Sequence, residues 1–402
     1  MDGSCCQRWE NLLLSINRFL GVSPSGRKGI LHWLHSLWCL FLLLYVWAGS
    51  ICKCIEFKVE MPTIEKLLYL MEFPGNMSTI AILVYYAISN HPSAHDVESQ
   101  IHLVIRGLES KAIRVVYTKH GQRTLHLIVV VTGFHGLCVL VDVINSNFEF
   151  WTTWISNSVY NLPALMMSLG ILQYALPVHF QWLLLERMRI SLKELRLRQR
   201  PPGDINKLDA RYESAFAALV NVGGGSTLLV EEMRSTCNLI EQLHKKLLSR
   251  FGIFLLLNFI NSLVSFCVEL YLVFNFFDNP LWNEYMLLIY RLLWLLLHGG
   301  RICFILAVNE QILEQKCNIC QQLNELEVCS SHLERTINRF LLELHTSIDQ
   351  PLEACGIVTL DTLSLGGFIG VLMAIVIFLI QIGLGNKSLM GVALNRSSWV
   401  YI

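Results

Sequence analysis

The stretch FGIFLLLNFINSLVSFCVELYLVFNFF, residues 251–277, carries one charged side chain, Glu269. A helix needs roughly 20 mainly apolar residues to cross the hydrocarbon core of a bilayer, and this run exceeds that length. Further apolar stretches lie at Leu31–Cys52, Phe73–Ser89, Leu125–Ile144, Val159–Leu185, Met286–Val308 and Gly366–Gly383. The second is short and interrupted by Gly75 and Asn76, and the fourth contains Pro163 and Pro177, which membrane helices tolerate. The expected fold is an all-α polytopic membrane protein with seven transmembrane helices. Composition agrees: 53% of the 402 residues are hydrophobic and 15% charged, against about a quarter charged in soluble domains.

Basic residues fix the orientation, because cytoplasmic loops carry the excess of Lys and Arg. With the N-terminus inside, the four cytoplasmic segments hold four, five, eleven and three of them; the external segments hold three, none, none and two. The C-terminus then lies outside, where the sequons Asn386-Lys-Ser and Asn395-Arg-Ser offer possible glycosylation sites. Trp47, Trp151, Trp154 and Trp282 fall at span ends, as suits a membrane interface. The first 30 residues lack a bounded apolar core followed by a small-residue cleavage site, so no cleavable signal peptide is expected.

Two segments assigned to the cytoplasm read as amphipathic helices. Between Leu183 and Arg200, Leu192, Leu195 and Leu197 are interleaved with Arg189, Lys193, Arg196 and Arg198, so the fourth span should continue into the cytoplasm. Between Asn309 and Ile348, apolar residues including Ile312, Ile319, Leu323, Leu333, Ile337, Phe340 and Leu344 recur at helical spacing. Ser331 with Glu334 forms a capping-box pattern for a fresh helix that Pro351 ends. An apolar stripe in water must be covered, so these helices should pack on one another, and Leu333, Ile337 and Leu344 become candidates for holding subunits together.

The charge balance, 31 basic against 31 acidic residues, gives no reason to expect nucleic acid as a partner. Cys317-Asn-Ile-Cys320 has ligand spacing without a second pair, and Gly223-Gly224-Gly225 lacks the lysine and hydroxyl of a phosphate loop. No nucleophile, base and orienting group come together, so neither an enzyme nor a metal or other cofactor is expected. Intramembrane charges are costly in lipid, which singles out Asp142, Glu269 and Arg291 in the outer halves of their spans. They either pair, Glu269 with Arg291 for instance, or face an aqueous ligand pocket. Tyr160, Asn161, Tyr271, Phe274, Trp282, Tyr285, Tyr290 and Trp294 offer aromatic faces and polar tips around them.

Gly356-Ile-Val-Thr-Leu-Asp361 resembles the segment preceding the last span of insect gustatory receptors: a glycine, two apolar residues, then Thr-Leu-Asp. Gly370, the apolar run Val376–Ile380 and Gln381 match that family's last-span signature, while Ala374, Ile375 and Ile382 replace its usual Thr, Tyr and Phe. The resemblance implies a tetrameric ligand-gated cation channel in the plasma membrane of gustatory receptor neurons, in their dendrites, with other gustatory receptor subunits or copies of itself as partners and a small-molecule tastant as ligand. Bitter or aversive compounds are the expected class. The last helix would line the pore through Gly370, Ala374, Ile377 and Gln381, with Ile382 as an apolar constriction. The alternatives are an odorant-type receptor of the same superfamily or a polytopic small-molecule transporter. The implied division is a cytoplasmic N-terminus (1–30), a six-helix ligand-sensing bundle (31–308), cytoplasmic assembly helices (309–350), the pore helix (351–384) and an external tail (385–402).

Overall fold

The computed structural model describes residues 3–25, 29–55, 63–89, 111–199, 225–278, 285–326, 331–350, 352–361 and 363–398. Its helices are α1 (Gly3–Phe19), α2 (Ile30–Ile55), α3 (Thr63–Ile88), α4 (Lys111–Asn145), α5 (Phe150–Ser156), α6 (Leu162–Gln199), α7 (Gly225–Asp278), α8 (Tyr285–Asn324), α9 (Ser331–Asp349) and α10 (Leu363–Ser398). A hairpin of β1 (Glu353–Ala354) and β2 (Val358–Thr359) precedes the last of them. Among the described residues, six stretches are long and apolar enough to cross a membrane: Ile30–Lys53, Thr118–Asn145, Phe150–Leu197, Thr227–Phe277, Tyr285–Asn324 and Ser364–Gln381. The remaining expected span is helical, as α3, but is not among those six. The polar residues that dilute its apolar run face α7: Ser265 donates to Glu72 (3.1 Å) and Asn261 to Asn76 (2.8 Å).

The apolar first half of α6 is the centre of the bundle. Met166, Met167, Leu169, Ile171, Leu172 and Tyr174 are buried on all sides of it, as expected of a helix without a polar face. Close approach is needed there: a Cβ on Gly170 would lie 2.9 Å from both Leu83 and Phe254. A π-helical turn, Asn157–Asn161, joins α5 to α6, with the Leu162 N–H bonded to the Asn157 carbonyl. Pro163 follows directly; its ring crowds the carbonyl four residues back in a regular helix, and the wider turn relieves that position.

α7 and α8, of 54 and 40 residues, are roughly 80 and 60 Å long, well beyond the roughly 30 Å of a bilayer core. Their surplus, with the end of α6 and all of α9, builds a helical layer. The expected boundary at 308/309 therefore falls inside one unbroken helix. Leu333, Ile337, Phe340 and Leu344 of α9 pack into the same core as Val230, Cys237 and Ile240 of α7 and Ile312, Ile319 and Leu323 of α8. Ion pairs rim this core. Lys316 bonds to Glu241 and to Ser347 (2.6 Å); Arg234 reaches Glu231 and Glu343 (2.6 Å to Glu343); Arg196 pairs with Glu325.

Residues 351–384 are expected as one pore helix, but the described residues 352–361 form a hairpin and a bend, and the helix begins at Leu363. The hairpin turns at Ala354–Ile357 with Cys355 and Gly356 at φ 56° and 69°, both in the left-handed region that such tight turns require. It is closed by the Leu360 N–H on the Leu352 carbonyl (2.7 Å), with Leu360 buried. Asp361 then accepts from the Ser364 N–H (2.8 Å) and hydroxyl (2.6 Å), capping the orphan donors at the start of α10. The Thr-Leu-Asp motif thus supplies a strand residue, an anchor and a helix cap. Asp361→Ala should destabilise the start of α10 by about 1 kcal/mol. Faster amide exchange at residues 363–366 would report it, and unchanged exchange would rule out the cap. The helix continues to Ser398, so the expected tail is helical over most of its length.

Candidate functional site

One face of α8 organises the site, because Arg291, Trp294, His298 and Arg301 recur every three or four residues and turn the same way. Trp294, His298 and Arg301 are buried in the bundle. At one end of this stripe Arg291 Nη1 donates to both oxygens of Glu269 on α7, at 3.1 and 3.3 Å. Glu269 is buried and Arg291 nearly so, so the pair joins α7 to α8 away from bulk water. Next come aromatic faces. Tyr290 and Tyr160 stand edge-on to Trp294 at 5.9 and 6.4 Å, Phe73 lies 5.9 Å from Tyr160, and His298 stacks on the Trp294 ring at 5.6 Å.

At the other end Arg301 reaches across to α6. Its Nη2 donates to the Ser168 hydroxyl (3.0 Å) and to the Ala164 carbonyl, and its Nε to Ser168 (3.3 Å). His135 of α4 brings Nε2 within 3.1 Å of the same hydroxyl. Three helices thus meet at one serine.

The other residues singled out from the sequence divide. Asp142 accepts from Ser156 (3.1 Å) and Asn157 (2.8 Å) and so anchors the start of the π turn to α4, while Asn161 donates to Asn157 (2.5 Å) within that turn. Tyr271 belongs elsewhere: with Val268 it packs against Leu379 and Ile380 of α10. Glu72, His135, Ser168, His298 and Arg301 join the cluster without having been singled out. Arg301 carries a legible signal, being an arginine within an apolar run of α8.

α10 touches the bundle on one side. Phe368 meets Phe259 at 4.1 Å between rings, Leu365 joins Phe259, Ile302 and Leu306, and of residues 364–381 only Val376 is buried. Gly370, Ala374, Ile377 and Gln381 all lie on the exposed part. The side chains of Ile382, Asn386 and Asn395 lie outside the described residues, although their backbone belongs to α10. Leu333, Ile337 and Leu344 are covered by their own chain, 1–5% exposed. They pack within the helical layer of their own chain, while the outward face of α9 presents Leu342, 69% exposed, and Arg339.

An ion pair, an aromatic wall and a few buried hydrogen-bonding groups are the elements by which a bundle holds a small organic molecule. The family described as 7tm Chemosensory receptor matches residues 10–386. The Drosophila melanogaster protein named "Putative gustatory receptor 59e" is 75% identical over 394 residues, 98% of this chain and 99% of its own length. A second, "Putative gustatory receptor 59f" of the same organism, is 28% identical over 107 residues, covering 27% of this chain and 26% of its own. The insect olfactory receptor OR5 from Machilis hrabei shares the fold, with TM-score 0.65 at 12% identity over 94% of this chain and 98% of that one. Its complex with eugenol gives TM-score 0.60, also at 12% identity, over 95% and 100%.

Proposed function

The chain belongs to the insect gustatory receptor family, and from that premise we propose that it is one subunit of a tetrameric, ligand-gated cation channel of the plasma membrane, opened by bitter or otherwise aversive small molecules. All seven apolar stretches cross the bilayer in this reading, α3 included, with the N-terminus in the cytoplasm. The distribution of Lys and Arg supports that orientation. The ion-paired layer of α7, α8 and α9 is then cytoplasmic, and the Glu269–Arg291 end of the cluster faces outward.

The observation that carries the channel reading is the one-sided packing of α10. A span that leaves Gly370, Ala374, Ile377 and Gln381 uncovered by its own subunit has a face to give to an axis of symmetry. Four copies would surround a conduction path lined with small residues and ringed by Gln381, with Ile382 beside it as an apolar seal that closes by excluding water. Ligand at the α8 stripe would shift α7 against α8, and α10 rides on both.

Whole-cell recording from cells expressing the chain alone and with partner subunits, during a tastant screen, tests this. Gln381→Glu, which adds one carboxylate per subunit, should change divalent permeation or block while leaving assembly intact. Tastant-evoked currents with unaltered selectivity in a surface-expressed Gln381→Glu channel would remove α10 from the pore.

A further inference from the structure

We infer, building on the receptor reading above, that the buried end of the α8 stripe is an anion site, and that the ligand is an amphipathic organic carboxylate whose head group is held by Arg301. The two arginines of the stripe differ in one respect. Arg291 has a carboxylate, Glu269, in direct contact. Arg301 is 5% exposed, its partners are a hydroxyl and a carbonyl, and among the described residues no carboxylate lies within ion-pair distance of it. Its Nη1 has no hydrogen-bond partner. Buried guanidinium groups in apolar surroundings are ordinarily matched by an anion, because the cost of desolvating the charge is otherwise uncompensated.

The neighbours add unpartnered ring nitrogens, of which each neutral imidazole can offer one N–H. His298 is 1% exposed and neither ring nitrogen has a partner; His135, 4% exposed, uses Nε2 on Ser168 and leaves Nδ1 unmatched. A carboxylate has two oxygens and several lone pairs, and a guanidinium presents a fork that fits it. Trp294 lies seven residues before Arg301, roughly 10 Å along the helix axis. An acid held at Arg301 would therefore lay an alkyl chain of medium length along His298 and the Trp294 ring towards the Glu269–Arg291 pair. That pair, already neutralised, offers the chain's far end no competing cation.

The test is binding of tritiated octanoate to the purified full-length receptor in nanodiscs of zwitterionic lipid, read by scintillation proximity, so that it needs no channel current and fails separately from the channel reading. Saturable binding should be displaced by unlabelled octanoate and not by octanol or methyl octanoate. Arg301→Gln should weaken it roughly tenfold to a hundredfold, the worth of a charge-assisted hydrogen bond. Arg301→Lys, which keeps the charge and loses the fork, should fall between. Replacing most of the sodium chloride with iso-osmotic sucrose should leave binding unchanged. Equal competition by the ester, displacement by chloride, absence of saturable binding, or wild-type affinity in a folded Arg301→Gln variant would each overturn the assignment. If neither variant folds, the contrast between acid and ester in the wild-type protein decides.

Discussion

Glu241→Ala is expected to remove most of the receptor from the cell surface. The carboxylate accepts from Lys316 and from Ser347 (2.7 Å), and lies 3.6 Å from Lys245, so it ties α7 to α8 and α9 at one point. Lys316 is 4% exposed along its side chain. Deleting the acid leaves an ammonium buried without a counter-charge, which costs about 3–5 kcal/mol, a large share of the roughly 5–15 kcal/mol that keeps a domain folded. The pair as a whole is a different matter, since replacing both partners with apolar side chains of similar volume is often neutral. Glu241→Leu combined with Lys316→Met should thus recover expression that Glu241→Ala loses. Surface biotinylation and the melting temperature of the solubilised protein measure both. Normal expression of Glu241→Ala would show that water reaches Lys316 and that the layer is held by its apolar core alone.

The second large effect belongs to the Glu269–Arg291 pair. Either Glu269→Ala or Arg291→Ala should cost about 3 kcal/mol by stranding its partner in the bundle, and the double substitution should cost less than the sum of the two. If the pair serves structure alone, then on the channel reading proposed above surface expression should fall while sensitivity per channel to different compounds falls by a common factor. Loss of response to one chemical class at normal expression would mean instead that Arg291 contacts ligand directly.

Where a single apolar run or a rare charge decides the matter, the fold was legible in the sequence. Residues 251–277 and 286–308 announce membrane helices by length, and an intramembrane Glu269 with an intramembrane Arg291 almost names its own partner. Other features depend on neighbours that no local pattern reveals. The polar residues of α3 look like interruptions until Asn261 and Ser265 are seen to receive them. The hairpin before α10 has strands of two residues each, too short for any alternation, and depends on a cysteine at positive φ. The meeting of His135, Ser168 and Arg301 was hidden for a further reason. The π turn at Asn157–Asn161 holds one residue more than an α turn, so a helical wheel drawn from Phe150 onwards is wrong by about 100 degrees after it.

α10 leaves the ribosome after every helix it packs against. By then the bundle can already have closed around α6, because the core there draws on no residue of α10, whereas Phe259, Ile302, Leu306, Val268 and Tyr271 wait for it. α10 then enters the bilayer on its own hydrophobicity and docks along a single seam. The bundle then carries α10 as a rod held along one side, and on the channel reading proposed above the check on a newly made chain becomes whether that rod finds company.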